Sequence, residues 1–367
     1  MTPIASPAER SRVGFLNGGE RWNGSRPWWD GFAVMSNRIY AWFLAELPAH
    51  WLARHRGLLL DVIRLESATA RWRGPSIPPG ATVFFDAWGA ARLPSLSASL
   101  HATGGRVLVS CDDEWWKPPP WWLPDRPEDF DGLARVERAL SEADRVVVHT
   151  AAIAERVERF NRAIVVMPQA LPPLDELPRR PRPPDQRGLR IGWVGGQAHT
   201  GDLDLIERAV RDLLARRPDV TLVLAGPSLP PWALALRASP QIEVHPGWVR
   251  TPAYYRWVAS LALDGFLAPL APIPFNLVKP CLKPLEAAGL GIPVIASAVG
   301  SYAEDLEHEE TALLVDNTPE GWLAAMTRLV EEADLRAQLS ARGRAWAATR
   351  TIDQTGPQWA ALWQGAG

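Results

Sequence analysis

The second half of the chain alternates short apolar runs with amphipathic stretches. "LRIGWVGG" is apolar and ends in glycines. The following "DLDLIERAVRDLLARRP" places Leu203, Ile206, Val210, Leu213 and Leu214 near helical spacing. "VTLVLAGP" and the shorter "QIEVHPGWV" then read as strands. Thr251-Pro252 opens "TPAYYRWVASL" as a cap followed by a proline suited to a first helical position. "DGFLAPL" predicts a strand, "LEAAGLG" a helix and "PVIAS" another strand, and a long helical region begins near Pro319. Such alternation predicts a parallel sheet covered by helices.

The first half carries the same pattern more weakly. "SRVGFLNGG", "ATVFFDAWG", "GGRVLVSCDD", "ADRVVVHT" and "RAIVVMPQ" each end an apolar run in a loop, and "AAIAERVERF" predicts a helix. Between the halves, "LPPLDELPRRPRPPDQRG" is rich in proline, which neither donates to a ladder nor continues a helix. The expected fold is therefore α/β, with two Rossmann-like parallel-sheet domains facing across a cleft. The domains fall at 1–177 and 189–345, joined by a linker over 178–188. A helical tail over 346–367 is expected to return to the first domain. Ligands of open α/β sheets bind outside the carboxyl ends of the strands, so both sets of loops would aim at one crevice.

Composition changes this picture little. With 47% hydrophobic and 22% charged residues, the chain is that of an ordinary globular protein. A formal net charge of −2 argues against nucleic acid or an anionic membrane as an obligatory partner. Cys111 and Cys281 form no metal or redox spacing, so a reducing compartment and no bound metal are expected. The start lacks the apolar core of a signal peptide and no window approaches a membrane span. A cytoplasmic location follows, or one peripheral to the inner face of a membrane.

The candidate chemistry gathers on a few residues. Of the 39 basic side chains, only Lys117, Lys279 and Lys283 are lysines, and two of these stand four residues apart. On a helix or in the turn leading into it, Lys279 and Lys283 share a face with Glu286 close by. Compact ammonium groups suit a diphosphate, whereas the arginine fork suits planar partners. Gly195 and Gly196 close an apolar strand before a helix start, where close backbone approach and unpaired N–H groups suit an anion. Gly18 and Gly19 repeat that arrangement in the first half. Neither turn has the dinucleotide fingerprint, which argues against an NAD enzyme. His199 lies within the Gly-rich turn. Asp112 and Asp113 end a strand where a cleft-facing carboxylate would sit as base or metal ligand, with Asp86 a weaker candidate. Eleven of the nineteen tryptophans fall within the first 122 residues. Pairs such as Trp115-Trp116 and Trp121-Trp122 mark a recognition surface without choosing its partner, since sugars and nucleobases stack on indoles and membrane interfaces attract them.

These residues resemble a known set. Asn276, Lys279, Lys283 and Glu286 are similar to the recurring Asn-x2-Lys-x3-Lys-x2-Glu pattern of the GT-B glycosyltransferases, in particular the family-4-like bacterial members. "GIPVIASAVGSY" and "ETALLVDNTPEGW" resemble the segments that follow it. "IGWVGGQAHTGDLDLI" resembles the family's strand, Gly turn and Thr-His-x-x-Asp start, matching at His199 and Asp202 with Ala198 in place of Thr. Val278 stands where many members carry a second Glu. The resemblance implies transfer of a sugar from a nucleotide-diphosphate sugar to a carbohydrate or glycoconjugate hydroxyl, with no cofactor and no metal. It further implies that Lys279 and Lys283 hold the diphosphate with the Gly turns. Glu286 would meet the ribose and the backbone around Trp248 and Val249 the base. Asp113, Asp112 and His199 remain the candidates for catalysis.

Other readings stay open at this stage. A non-catalytic nucleotide-sugar or carbohydrate-binding protein of this fold would bind donor without turnover, and an epimerase would consume donor without acceptor. A DNA-modifying transferase acting on a flipped base is a minor alternative. The excess of 12 basic over 7 acidic groups in the first 110 residues leaves room for it.

Overall fold

The computed structural model describes residues 31–35, 47–58, 60–64, 77, 79–122, 127–179, 188–247, 249 and 253–364. Within these, the chain divides into two compact units. The first comprises the described residues up to Trp116, those of Pro124–Ala170 and the helix Ile352–Gln364. The second comprises Lys117–Leu123 and Leu171–Thr351.

The first unit is a six-stranded parallel sheet. Its strands are β1 (Gly31–Met35), β2 (Leu60–Arg64), β3 (Thr82–Asp86), β4 (Arg106–Cys111), β5 (Arg145–Val148) and β6 (Ile164–Val166), in the order β2-β1-β3-β4-β5-β6. Parallel strands covered on both faces read as continuous apolar runs, and "VFF" and "VLVSC" are buried accordingly. The hydrogen bond from Ile153 N to Thr150 Oγ1 caps the helix Ala151–Val157 where "AAIAERV" predicts one. Helix Ile352–Gln364 sets Trp359 and Trp363 edge-on to Phe84, with ring centres 5.6 and 6.3 Å away. Trp51 packs in the same cluster, and its Nε1 donates to Asp353 Oδ1 at 2.9 Å. A Cβ at Gly356 would fall 2.3 Å from the Trp51 ring. Gly356→Ala is therefore expected to destabilise the first unit by about 1–3 kcal/mol, read as a lower unfolding temperature in calorimetry.

The second unit has its own six-stranded parallel sheet. It is built from β7 (Leu189–Val194), β8 (Val220–Gly226), β9 (Ile242–Pro246), β10 (Gly265–Ala268), β11 (Val294–Ser297) and β12 (Leu313–Val315). The order is β12-β11-β10-β7-β8-β9, so the winding reverses between β7 and β10. Trp193, Trp322, Leu222, Leu267 and Ile295 anchor its core. The helix expected after β7 begins as a 3-10 segment, Gly201–Ile206, and becomes α-helical only over Glu207–Arg216. Leu203, Ile206, Val210 and Leu213 face inward as their spacing predicts.

Two boundaries differ from the sequence expectation. The first unit ends at Ala170, not at 177, although 171–179 is rich in proline. Leu171 and Leu177 close on Gly289, where an added Cβ would meet them at 2.5 and 3.1 Å. Arg344 Nη2 donates to Leu174 O at 2.9 Å, which fixes this stretch to the second unit. The tail likewise divides at Ile352 and not at 346, because Leu171 N donates to Arg350 O at 2.9 Å. The strand expected at "SRVGFLNGG", the cap at Thr251-Pro252 and most of the 178–188 linker lie outside the described residues. Among the described residues, no helix is long and apolar enough to cross a membrane.

Candidate functional site

The carboxyl ends of β7 and β10 flank the reversal of the second sheet, where ligands of open α/β sheets bind. After β7 the backbone turns tightly. Gly195 N donates to Ala225 O at 3.0 Å, and a Cβ on Gly195 would stand 2.2 Å from Trp193 Cζ2 and 2.7 Å from Lys283 Nζ. Only glycine fits there. Gly196 leads into a 3-10 turn, Gln197–His199, in which His199 N donates to Gly196 O.

The lysines approach this turn from the other strand end. A short helix, Pro274–Leu277, carries Asn276, and Pro280 separates it from the helix Leu282–Gly289. Lys279 thus lies in the turn between two helices. Its ammonium sits 4.4 Å above the Phe275 ring, and its carbonyl accepts from Ser301 Oγ. Lys283, on the second helix, donates from Nζ to Val194 O at 3.0 Å and lies 5.5 Å from the Trp193 ring. One turn further, Glu286 is buried and accepts from Tyr254 Oη at 3.3 Å. Burial pushes its carboxyl up to about 7, against the pull of Lys283 and of the Tyr254 hydrogen bond. The same burial, with Glu286 alongside, holds the Tyr254 and Tyr255 phenols well above their usual range.

Asp202 ties the two strand ends together. It is fully buried, and its Oδ1 accepts from Ala271 N and from Asn276 Nδ2, both at 2.8 Å. Its Oδ2 lies 2.8 Å from His199 Nδ1. Burial raises the Asp202 carboxyl to about 7, while Lys279 and Lys283 pull it down. Burial, then Lys283 and Lys279, holds the His199 imidazole well below its ordinary range. Trp121 belongs to this unit through Lys117–Leu123. Its Nε1 donates to Ala198 O at 3.0 Å, and its ring covers Gly201, where a Cβ would fall 2.2 Å away.

Gly195, Gly196, His199, Lys279, Lys283 and Glu286 therefore belong to one construction in the second unit. Val249 is half-buried in the same unit. Gly18, Gly19 and Trp248 lie outside the described residues. Asp112 and Asp113 are buried in the first unit, beyond the end of β4. Asp112 Oδ1 accepts from Trp115 Nε1 at 2.9 Å, and Asp112 acts on the buried His149, whose Nδ1 donates to Met167 O at 2.7 Å. Burial lowers the His149 imidazole, with Met167 and Asp112 opposing. Among the described residues no group of three or more His, Cys, Asp or Glu is set to hold a metal ion. Sequence reasoning met Asp202 only as a motif match and Trp121 only as half of a tryptophan pair, and it missed Tyr254 and His149 altogether. For Asp202 the three-residue interval from His199 was the available signal.

A sequence profile of the family described as Glycosyl transferases group 1 matches residues 188–332. Those residues are a group 1 glycosyltransferase domain. The site just described lies within this domain, apart from Trp121. Curated relatives are named D-inositol 3-phosphate glycosyltransferase. The protein of Stackebrandtia nassauensis is 29% identical over 254 residues, covering 63% of this chain and 56% of its own. That of Rhodococcus jostii is 30% identical over 243 residues, covering 59% and 51%. The chain thus spans about half the length of the curated relatives it matches. Among solved structures, Anabaena HepE in complex with UDP and glucose superposes with a TM-score of 0.63 at 13% identity. That match covers 91% of this chain and 100% of HepE. Sucrose-phosphate synthase from Thermosynechococcus elongatus gives 0.64 at 15% identity, covering 91% and 98%. The fold around the group 1 domain is that of the GT-B glycosyltransferases, with two parallel sheets.

Proposed function

We propose that the chain transfers a glycosyl group from a nucleoside-diphosphate sugar to an acceptor hydroxyl on a carbohydrate or glycoconjugate. The observation that carries this reading is the Lys283 ammonium, seated on Val194 O at the Gly195 turn with Lys279 and Glu286 on the same segment. HepE, of the same fold, has been solved with UDP and with UDP-glucose, and the curated relatives carry glycosyltransferase names.

In the proposed reaction the bond from the anomeric carbon to the diphosphate breaks through an oxocarbenium-like state. Negative charge grows on the departing diphosphate as it does so. Preorganised cations aimed at that charge stabilise the transition state more than the ground state. Lys279 and Lys283 supply them, so no metal ion is required for leaving-group stabilisation. Glycines at 195 and 196 let the phosphates approach the backbone. Glu286 accepts from ribose hydroxyls, and the backbone at Val249 meets the base. Asp112 and Asp113, in the first unit, are the candidates to accept the proton of the acceptor hydroxyl.

The test is nucleotide release by the whole protein from a panel of UDP-, GDP- and dTDP-sugars. Turnover of one donor, raised by an acceptor, is the expected result. Tight donor binding with no turnover would replace the enzyme by a nucleotide-sugar-binding protein. Donor consumption that gives an isomer regardless of acceptor would replace it by an epimerase.

A further inference from the structure

His199 and Asp202 lie at the second unit's strand ends with a hydrogen-bond arrangement that leaves one proton only two places to go. Both accepting directions of Asp202 Oδ1 are taken, by Ala271 N and Asn276 Nδ2 at 2.8 Å each. Oδ2 faces His199 Nδ1 alone, at 2.8 Å. Asp202 is fully buried, and the His199 side chain is 12% exposed. His199 Nε2 has no hydrogen-bond partner among the described residues.

Three states are open to such a pair. In the first, an ionised Asp202 accepts Nδ1–H, and Nε2 is a lone pair. In the second, Asp202 carries its hydrogen on Oδ2 and donates to Nδ1, and Nε2 becomes an N–H donor. In the third, an imidazolium faces a carboxylate. The charged groups that face the pair are Lys283 and Lys279, and both oppose an imidazolium, as does burial. The first two states remain, and they present opposite hydrogen-bonding characters at Nε2.

We propose that Asp202 is a positioning residue that, by carrying a hydrogen on Oδ2, sets His199 as a neutral Nε2–H donor to the diphosphate of the sugar nucleotide. This rests on the nucleotide-sugar reading above. A lone pair at Nε2 would repel phosphate oxygens, whereas an N–H attracts them without adding a third cation beside the lysines. Burial already brings the Asp202 carboxyl to about 7, so the second state is within reach at neutral pH. An arriving anion adds negative charge beside the pair and tightens its hold on the proton.

The test uses the intact protein and UDP, GDP and dTDP as probes, with binding followed by calorimetry between about pH 6.5 and about pH 8.5. Wild-type affinity is expected to fall by about tenfold across that range as the proton is lost. In Asp202→Asn the amide oxygen still accepts from Ala271 and Asn276, and the amide N–H₂ donates to Nδ1, which locks the Nε2–H form. Its affinity is expected to vary by less than about twofold beyond the nucleotide's own titration, and to exceed wild type at the alkaline end. Glu286 titrates in the same range, so Glu286→Gln is run in parallel and should keep the part of the dependence that Asp202→Asn removes.

Long-range 1H–15N spectra of histidine-labelled wild type give a second reading that needs no variant at Asp202 to fold. With nucleotide bound, the resonance lost in His199→Gln should report an Nε2–H imidazole. An Nδ1–H imidazole in the complex, or a pH dependence unchanged by Asp202→Asn, overturns the pairing while the nucleotide-sugar reading stands. Absence of binding by all three nucleotides overturns both.

Discussion

Replacing Lys283 by alanine is expected to lower donor turnover by about two to three orders of magnitude, on the order of 3–4 kcal/mol in the barrier. Its ammonium is held by Val194 O and the Trp193 ring in a space that leaves no room even for a Cβ on Gly195. A charge fixed in advance needs no reorganisation when the diphosphate departs. Because the leaving group carries more charge in the transition state than in the bound ground state, kcat and kcat/KM should fall together. Lys283→Arg should recover little, since the planar fork is wider than an ammonium and the turn is already tight. Steady-state nucleotide release, with unfolding temperature measured alongside, separates lost chemistry from a collapsed turn. Turnover within about threefold of wild type, in a protein of unchanged stability, would make Lys283 a structural strut.

The second large effect is on stability. In the native state Glu286 holds its proton up to about pH 7, well above the ordinary value of 4.5. The native state therefore binds more protons than the unfolded chain between those values, and stability falls as pH rises through that window. Above it the loss is complete. Glu286→Gln removes the buried charge while leaving an oxygen to accept from Tyr254. It is expected to stabilise the protein by about 3 kcal/mol at pH 8 and by almost nothing at pH 4. Denaturant unfolding at the two pH values checks this. Equal effects at both would mean that the carboxyl does not titrate in the native state. The same substitution removes a charged acceptor for ribose hydroxyls, so the proposed function predicts weaker nucleotide binding in a more stable protein. Such opposition between stability and activity is expected where a buried charge is kept for a ligand.

Apolar runs bounded by glycine revealed most of the strands. Runs such as "VTLVLAG" and "VLVSC" are long enough to declare a strand buried on both faces. β1 and β2 escaped notice, since "GFAVM" is brief and "LDVIR" sets charge within its apolar core. The prolines at 172, 173 and 178 suggested a seam, but Leu171, Leu174 and Leu177 between them pack against Gly289 and outweigh the local signal. In the site, the unusual lysines were visible because the rest of the chain prefers arginine. Asp202 was not visible in its present part, because its partners Ala271 and Asn276 lie 69 and 74 residues away. Only the fold brings a buried acceptor to its donors.

The course of the chain through its two units bears on how the protein is made. The described chain leaves the first unit at Lys117, returns after Leu123, leaves again at Leu171 and returns at Ile352. Trp359 and Trp363, which close the core around Phe84, are thus synthesised after every strand of both sheets. On the ribosome the first sheet must wait, with that face uncovered, until the second unit has been translated. Amino-terminal domains commonly fold first as they emerge. Here the unit that emerges first is the last to be finished, and its open apolar face is where a chaperone would be needed.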